Sequence, residues 1–359
     1  MDLTPFSKLL KMIEHFKIVK NKSRQHFLSS LVQGVISSRS IIFSTIASEI
    51  PNPIKISSKE RTIQDFFQKV SFNYRELTYF LMSFISHKKL RLTIDRTEWD
   101  FGKTQINILC IVAQIGKMGV PLYFEMLDNK SGNSHTTDRI AILKEIISIV
   151  GIERIEVLIM DREFIGNTWL SWLKKQKIPF CVRVPKSHYL LTKQGDRVKA
   201  ETLLKRKSKH YLSNVIVNGV SVNCYLSKDK KGEILYIIGT IPPKEIPKIY
   251  KKRWAIEVVF QALKSRGFNI EESKLKCIQK YKKLFAVVVM AYTICWAVGI
   301  QKSKRKPVKT KKHGYPQYSV FRRGLNCIKD TINNYNQIDI EHTFDNAILR
   351  IIKTIKIIG

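Results

Sequence analysis

Between residues 89 and 185 the chain alternates two kinds of segment, and few architectures accept their order. "LRLTID", "TQINILCIVAQI" and "VPLYFEML" are short runs rich in β-branched and apolar residues, separated by Gly-Lys and Lys-Met-Gly turn signals. "TTDRIAILKEIISIVG" then repeats apolar residues every three or four positions, and "IEVLIMD" returns to strand patterning. A second helical stretch, "FIGNTWLSWLKKQK", and a last strand, "PFCVRVP", follow. Three strands, helix, strand, helix, strand predicts a mixed α/β fold whose sheet is covered on both faces.

The flanks read differently. Residues 1–86 are patterned as a small, basic, all-helical N-terminal domain, in "FSKLLKMIEHF", "SRQHFLSSLVQGVI" and "ERTIQDFFQKVSFNYRELTYFLMSFI", with Ser58 as a helix cap. Residues 186–243 alternate through Gly, Asn and Asp turns and are expected to form a β-rich insertion. It divides the core into a first part, 87–185, and a second part, 244–300, whose helix packs back on the earlier sheet. Residues 301–359 form a basic C-terminal region. It carries seven Lys or Arg between 302 and 312 and ends in the helical "FDNAILRIIKTIKII". Basic runs of this kind are often disordered and bind nucleic acid.

Charge narrows the function. Sixty-three Lys and Arg against 29 Asp and Glu leave a formal charge of +34, a self-repulsion that a polyanion would relieve. Nucleic acid is the commonest soluble polyanion and an anionic membrane surface is the rival. With 359 residues the chain exceeds one ordinary core, so two or three domains are expected. The six Cys are never closer than eighteen residues, which removes C-x-x-C metal and redox sites and leaves buried thiols of a reducing cytoplasm. Residues 284–300 hold seventeen uncharged residues, at the lower limit for a membrane span. They read as a buried core helix, without a membrane role.

"YKKRWAIEVVFQALKSRG", residues 250–267, reads as an amphipathic helix whose polar side is unusual. At about 100° per residue, Tyr250, Arg253, Glu257 and Lys264 fall within roughly 60° of one another. Glu257 pairing with Arg253 one turn earlier is the plain reading of such spacing. Asp95 and Asp161 suggest more, since each stands after an apolar strand run, where sheet proteins place ligand sites. Two aspartates and Glu257 converging would form an all-oxygen pocket for hard divalent cations such as Mg²⁺. Two such ions about 4 Å apart activate an attacking oxygen and stabilise a leaving one in phosphoryl transfer. Arg253 and Lys264 would hold flanking phosphates, and Tyr250 would add a hydroxyl or a ring. Glu98, Asp100 and Glu163 are the competing carboxylates, as supporting groups or surface charges. Trp254 lies in the same stretch; on a helix beside Arg253 such a residue is more often core packing, and its role stays open. The scattered His and the lack of P-loop or nucleophile-elbow strings exclude zinc fingers, P-loop ATPases and serine hydrolases.

"YKKRWAIEVVFQALK" fits Tyr-(x2)-Arg-(x3)-Glu-(x6)-Lys without a gap, and "LTIDRTEWDFGKTQINILCIV" and "LIMDREFIG" precede it in order. Together these resemble the signature and the two aspartate motifs of bacterial insertion-sequence transposases of family 4, within the DDE class. The resemblance spans roughly residues 89–325, including "GYPQYSVFRRGL". It implies a ribonuclease-H-like catalytic core with a β-strand insertion, and a metal triad of Asp95, Asp161 and Glu257 that holds Mg²⁺, with Mn²⁺ as a substitute. It implies that Tyr250, Arg253 and Lys264 contact the transposon-end backbone. The activity implied is cut-and-paste transposition on double-stranded DNA, at terminal inverted repeats and target, by a homodimer in the synaptic complex. Its place would be the bacterial cytoplasm, on the nucleoid. Many similar enzymes pass through a DNA hairpin, which needs a flipped base. A ribonuclease-H-like nuclease or resolvase, or a non-catalytic DNA-binding protein derived from a dead element, would share part of this pattern.

Overall fold

The apolar runs pair into one ten-stranded sheet in a computed structural model that describes residues 5–50, 53–101, 104–127, 132–192, 194–205, 207–312 and 314–333. The strands are β1 (Leu90–Phe101), β2 (Thr104–Ile115), β3 (Met118–Met126), β4 (Ile155–Met160) and β5 (Phe180–Arg183). β6 (Tyr189–Leu191), β7 (Arg197–Lys199), β8 (Lys209–Val217), β9 (Val220–Lys228) and β10 (Ile234–Gly239) complete it. Their order is β3-β2-β1-β4-β5-β10-β9-β8-β6-β7. β1, β4 and β5 run parallel, joined through the helices Thr136–Val150 and Asn167–Lys175, as parallel neighbours require. Leu92, Thr93 and Ile94 of β1 and residues Val157, Leu158, Ile159 and Met160 of β4 are wholly buried, so both sheet faces are covered at the centre. The mixed α/β architecture therefore agrees with the sequence pattern.

The strands of residues 186–243 join this same sheet: β10 pairs antiparallel with β5, and β9 and β8 follow as antiparallel neighbours. The chain divides into two compact units, each taken by itself below. One is His87–Glu98 with Gln105–Val259 and holds most of the sheet; the other is Met1–Ser86, Trp99–Thr104 and Phe260–Gly359.

In the second of these units the N-terminal helices are Pro5–Phe16, Lys22–Ser38, Phe43–Glu49, Ile56–Lys69 and Tyr74–Met82. Asn21 caps one, accepting from the Ser23 amide, and Asn73 caps another, accepting from Arg75 and Glu76. Asn73 explains why residues 60–85, expected as one run, form two helices: its side chain offers the backbone a start signal in mid-pattern. Ser58 lies inside its helix, which begins two residues earlier at Ile56, so it is not the cap. The helix Ile278–Arg305 packs against Lys22–Ser38 and Val320–Asn333. The mean hydropathy of its most apolar 18-residue window, 2.0, and its length would suit a membrane span, yet 89% of that window is buried within the fold. Of the six thiols only Cys277 is exposed, the one departure from the expectation that all are buried.

Gly299 and Gly324 let two helices touch. A Cβ on Gly324 would stand 1.7 Å from the Cys295 carbonyl oxygen, and one on Gly299 would stand 1.9 Å from that of Val320. Backbone cannot yield as a side chain can, so Gly324→Ala is expected to destabilise the protein by about 2 kcal/mol or more. Thermal unfolding checks this, with Ala286→Gly in the same long helix as a variant that adds no clash.

The basic run after residue 301 begins in the long helix and continues into a reversal. Lys302, Lys304 and Arg305 form the last turn of the long helix, where positive charge meets the carbonyl end of the helix dipole. A reversal then follows, closed by a bridge between Thr310 and Pro316 and by hydrogen bonds from the Lys311 amide to Tyr315 and from the Gln317 amide to Lys309. The expected terminal helix "FDNAILRIIKTIKII" lies outside the described residues.

Candidate active site

Asp95 does not end its strand, since β1 continues to Phe101. What ends there is the parallel ladder: Ile94 is opposite Met160, so Asp95 and Asp161 follow side by side at the carboxyl edge of β1 and β4. Counting apolar residues located this edge but mistook it for a strand end, because the apolar run stops at Ile94 and charged Arg96, Glu98 and Asp100 alternate beyond it while still in β conformation. Carboxyl edges of parallel strands are where open α/β sheets bind ligands.

The third carboxylate arrives on a segment that is not one helix. Ile246–Tyr250 is helical, Lys251–Arg253 tightens into a 3₁₀ turn, and Trp254–Leu263 resumes the α-helix. Ile246, Ile249 and Tyr250 pack on Val157, Ile159 and Ile237 of the sheet, which anchors the segment. Tyr250 is accordingly buried, and its hydroxyl donates to Asp161 Oδ1 at 3.2 Å.

Arg253 collects all three acids. Its Nη1 lies 3.0 Å from Asp95 Oδ2 and 3.9 Å from Asp161 Oδ2, while Nη2 donates to Glu257 Oε1. The plain i, i+4 pair is thus present, but it is one of three contacts made by a guanidinium only 17% exposed. Burial raises the Asp95 pKa to about 7, opposed by the Arg96 amide and Arg253 and reinforced by Glu163 and Asp161. Burial also lowers the tendency of Arg253 to hold its proton, yet the surrounding Asp161, Tyr250, Asp95 and Glu257 win and its pKa rises. Three acids and one base leave excess negative charge in a half-buried site, which suits a cation.

The competing carboxylates have other partners. Arg96 donates to Glu98 and to Asn107 Oδ1 at 3.3 Å, and its Nε stands 3.4 Å from Glu163. Ser134 also reaches Glu163, at 3.4 Å, and is held by the buried Arg139 at 2.8 Å to its hydroxyl and 2.6 Å to its carbonyl. Arg139 lies over the Phe164 ring, 4.9 Å from its centroid. Sequence reading missed Arg96 and Arg139; the paired Asp-Arg-x-Glu and Asp-Arg-Glu strings at 95–98 and 161–163 were the signal for the first. Asp100 is exposed.

Lys264 stands just beyond the helix end, 2.8 Å from Glu271 and 4.9 Å from the Trp99 ring centroid. Trp254, whose role the sequence leaves open, is 60% exposed and so is not core packing. It starts the helix at a turn, so the face that periodicity gave it inside a longer helix is not the face it has.

The donor set of Asp95, Asp161 and Glu257 is all oxygen and anionic, as a hard divalent ion requires. As placed around Arg253, no group of three such residues has metal-holding spacing among the described residues.

The sequence pattern of a known family, the transposase DDE domain, matches residues 86–294, more than half of the chain. This chain belongs to that family. It is a DNA transposase, an enzyme of metal-dependent strand cleavage and transfer. A piggyBac transposase synaptic complex with hairpin DNA, solved by cryo-EM, is similar to this transposase at a TM-score of 0.49 and 11% identity, covering 92% of this chain and 76% of that one. No curated protein sequence matches.

Proposed function

We propose that this transposase acts for an insertion sequence of family 4 through a ribonuclease-H-like core, with Asp95, Asp161 and Glu257 as its metal-holding triad. The single observation that carries the triad is the shared guanidinium: three acids from two strand edges and a helix all reach Arg253. The parallel β1-β4-β5 centre supports the core assignment. Mg²⁺, or Mn²⁺ in its place, would be held by these three and would activate the attacking oxygen while stabilising the leaving one.

The chain's own groups divide the remaining work. Tyr250 keeps Asp161 oriented through its hydroxyl, so its contribution is positioning. Arg253 neutralises the acids before DNA arrives and then turns its fork to a phosphate, which guanidinium geometry suits. Trp254, exposed beside it, offers a ring on which an unstacked base can lie. Lys264 contributes a point charge to the transposon-end backbone once it leaves Glu271. The substrates are terminal inverted repeats and target duplex, bound by a homodimer, with residues 1–86 as a DNA-binding domain.

The test incubates the purified protein with a plasmid carrying the flanking ends of its element, with Mg²⁺ or with EDTA, and maps the broken strands. Metal-dependent breaks confined to the ends are expected. Breaks scattered without regard to the ends would favour a nuclease, and binding with no breaks a non-catalytic protein. Trp254→Ala should leave end binding within about threefold and reduce any hairpin product by about tenfold or more.

A further inference from the structure

Away from the acids, in the unit that contains the N- and C-terminal segments, three arginines line one cavity of about 560 Å³: Arg39, Arg266 and Arg322. Tyr318 and Asn269 share its wall. Among the described residues none of the three guanidiniums has a carboxylate within ion-pairing distance, whereas Arg91, Arg96 and Arg253 each do. Arg39 is held below its ordinary pKa by burial and by the charge of Arg322. Like charges gathered without counter-charge are unfavourable, and a fold keeps them together only with a reason.

The backbone here is also constrained. Arg39 and Asn269 both adopt left-handed φ, at 56° and 54°, which are unusual for residues other than glycine and are held by surrounding structure. Arg322 is fixed from behind, because its helix is clamped at Gly324 against the long helix and Phe321 packs on Tyr292. The backbone that carries Arg39 and Arg322 is thus set in place before any ligand arrives. Tyr318, 45% exposed at the rim, adds a ring and a hydroxyl.

Three guanidiniums in one cavity, a polar wall and an aromatic rim suit a phosphodiester strand. We propose that this arginine cavity is a second DNA-backbone site of the transposase, one that grips phosphates of bound duplex outside the chemical step. The proposal rests on the transposase reading; Arg39 and Arg322 lie outside residues 86–294 that match the family, and Arg266 lies within them. Arg39, Arg266 and Arg322 are binding residues here, with no part in the cleavage chemistry.

The test compares the wild type with Arg39→Asn/Arg322→Gln in binding to a transposon-end duplex across salt concentrations. Asparagine tolerates the left-handed backbone at position 39. The double variant is expected to bind about tenfold or more weakly, with a slope of log affinity against log salt shallower by at least about one. Arg39→Lys/Arg322→Lys keeps charge without the fork, so it should restore the slope and only part of the affinity, which separates a phosphate grip from a folding defect. Lys230→Gln, on an exposed turn, is the control with near-normal binding. A double variant with wild-type slope and affinity, while the wild type still cuts at the ends, would overturn the cavity proposal alone. A cavity loaded by inorganic phosphate, seen as a raised melting temperature in the wild type only, with no change in DNA slope, would also overturn it. Wild-type protein that neither binds nor cuts end DNA would instead remove the transposase reading beneath it.

Discussion

Glu257→Gln is expected to lower metal-dependent cleavage at the element's ends by about 10³-fold or more, roughly 4 kcal/mol of transition-state stabilisation, while end binding stays within about threefold. The amide keeps the shape and can still hydrogen-bond, but it removes one anionic oxygen ligand. It also weakens the charge pairing of Glu257 with Arg253, which keeps its contacts to Asp95 and Asp161. Binding therefore should not fall, and could rise slightly if that guanidinium turns to DNA. Filter binding and strand mapping on one substrate separate the outcomes. Equal losses of binding and cleavage would mean that Glu257 supports the fold or the DNA surface and is not a metal ligand.

Arg253→Ala should produce the second large effect, on stability. Without the guanidinium, Asp95, Asp161 and Glu257 repel one another at close range, with the Arg96 amide still donating to Asp95 and the Tyr250 hydroxyl to Asp161. Removing one partner from a wholly buried charge cluster costs about 3–5 kcal/mol, and this cluster is part-exposed, so a loss of about 2 kcal/mol in the metal-free protein is expected. Divalent metal should recover most of it, because the ion binds only the folded cluster and stabilises it by mass action. Melting curves with EDTA and with Mn²⁺ measure both terms. A variant as stable as wild type in EDTA, with no response to Mn²⁺, would dissolve the link between the arginine and a metal site.

Much of this site was legible because its parts obey local rules. The apolar runs "LRLTI" and "VLIM" could only be central strands, and an acid at the end of each is visible by inspection. What local rules could not supply is pairing. That β1 outlasts its parallel partner is a property of β2 and β4, not of β1, so the ladder edge at Asp95 looked like a strand end. The same holds for residues 186–243: alternation announced strands, but only pairing of β10 with β5 told that they extend the central sheet. The helical periodicity of 250–267 was real in composition, yet a 3₁₀ turn of three cationic residues shifts the faces, turning Trp254 outward. Arg96 was hidden because a cation beside each acid reads as surface charge until the fold sets Glu98 and Glu163 on either side of it.

The central claim is that the acids gathered by Arg253 are the metal site. Electron paramagnetic resonance of Mn²⁺ titrated into the protein with end DNA, for wild type, Asp95→Asn, Asp161→Asn and Glu257→Gln, tests it most directly. Bound Mn²⁺ is expected in the wild type, with a loss of affinity of about tenfold or more in each variant, since each removes a ligand oxygen's charge. Mn²⁺ held as tightly by all three variants as by the wild type would contradict it and move the metal site elsewhere in the chain.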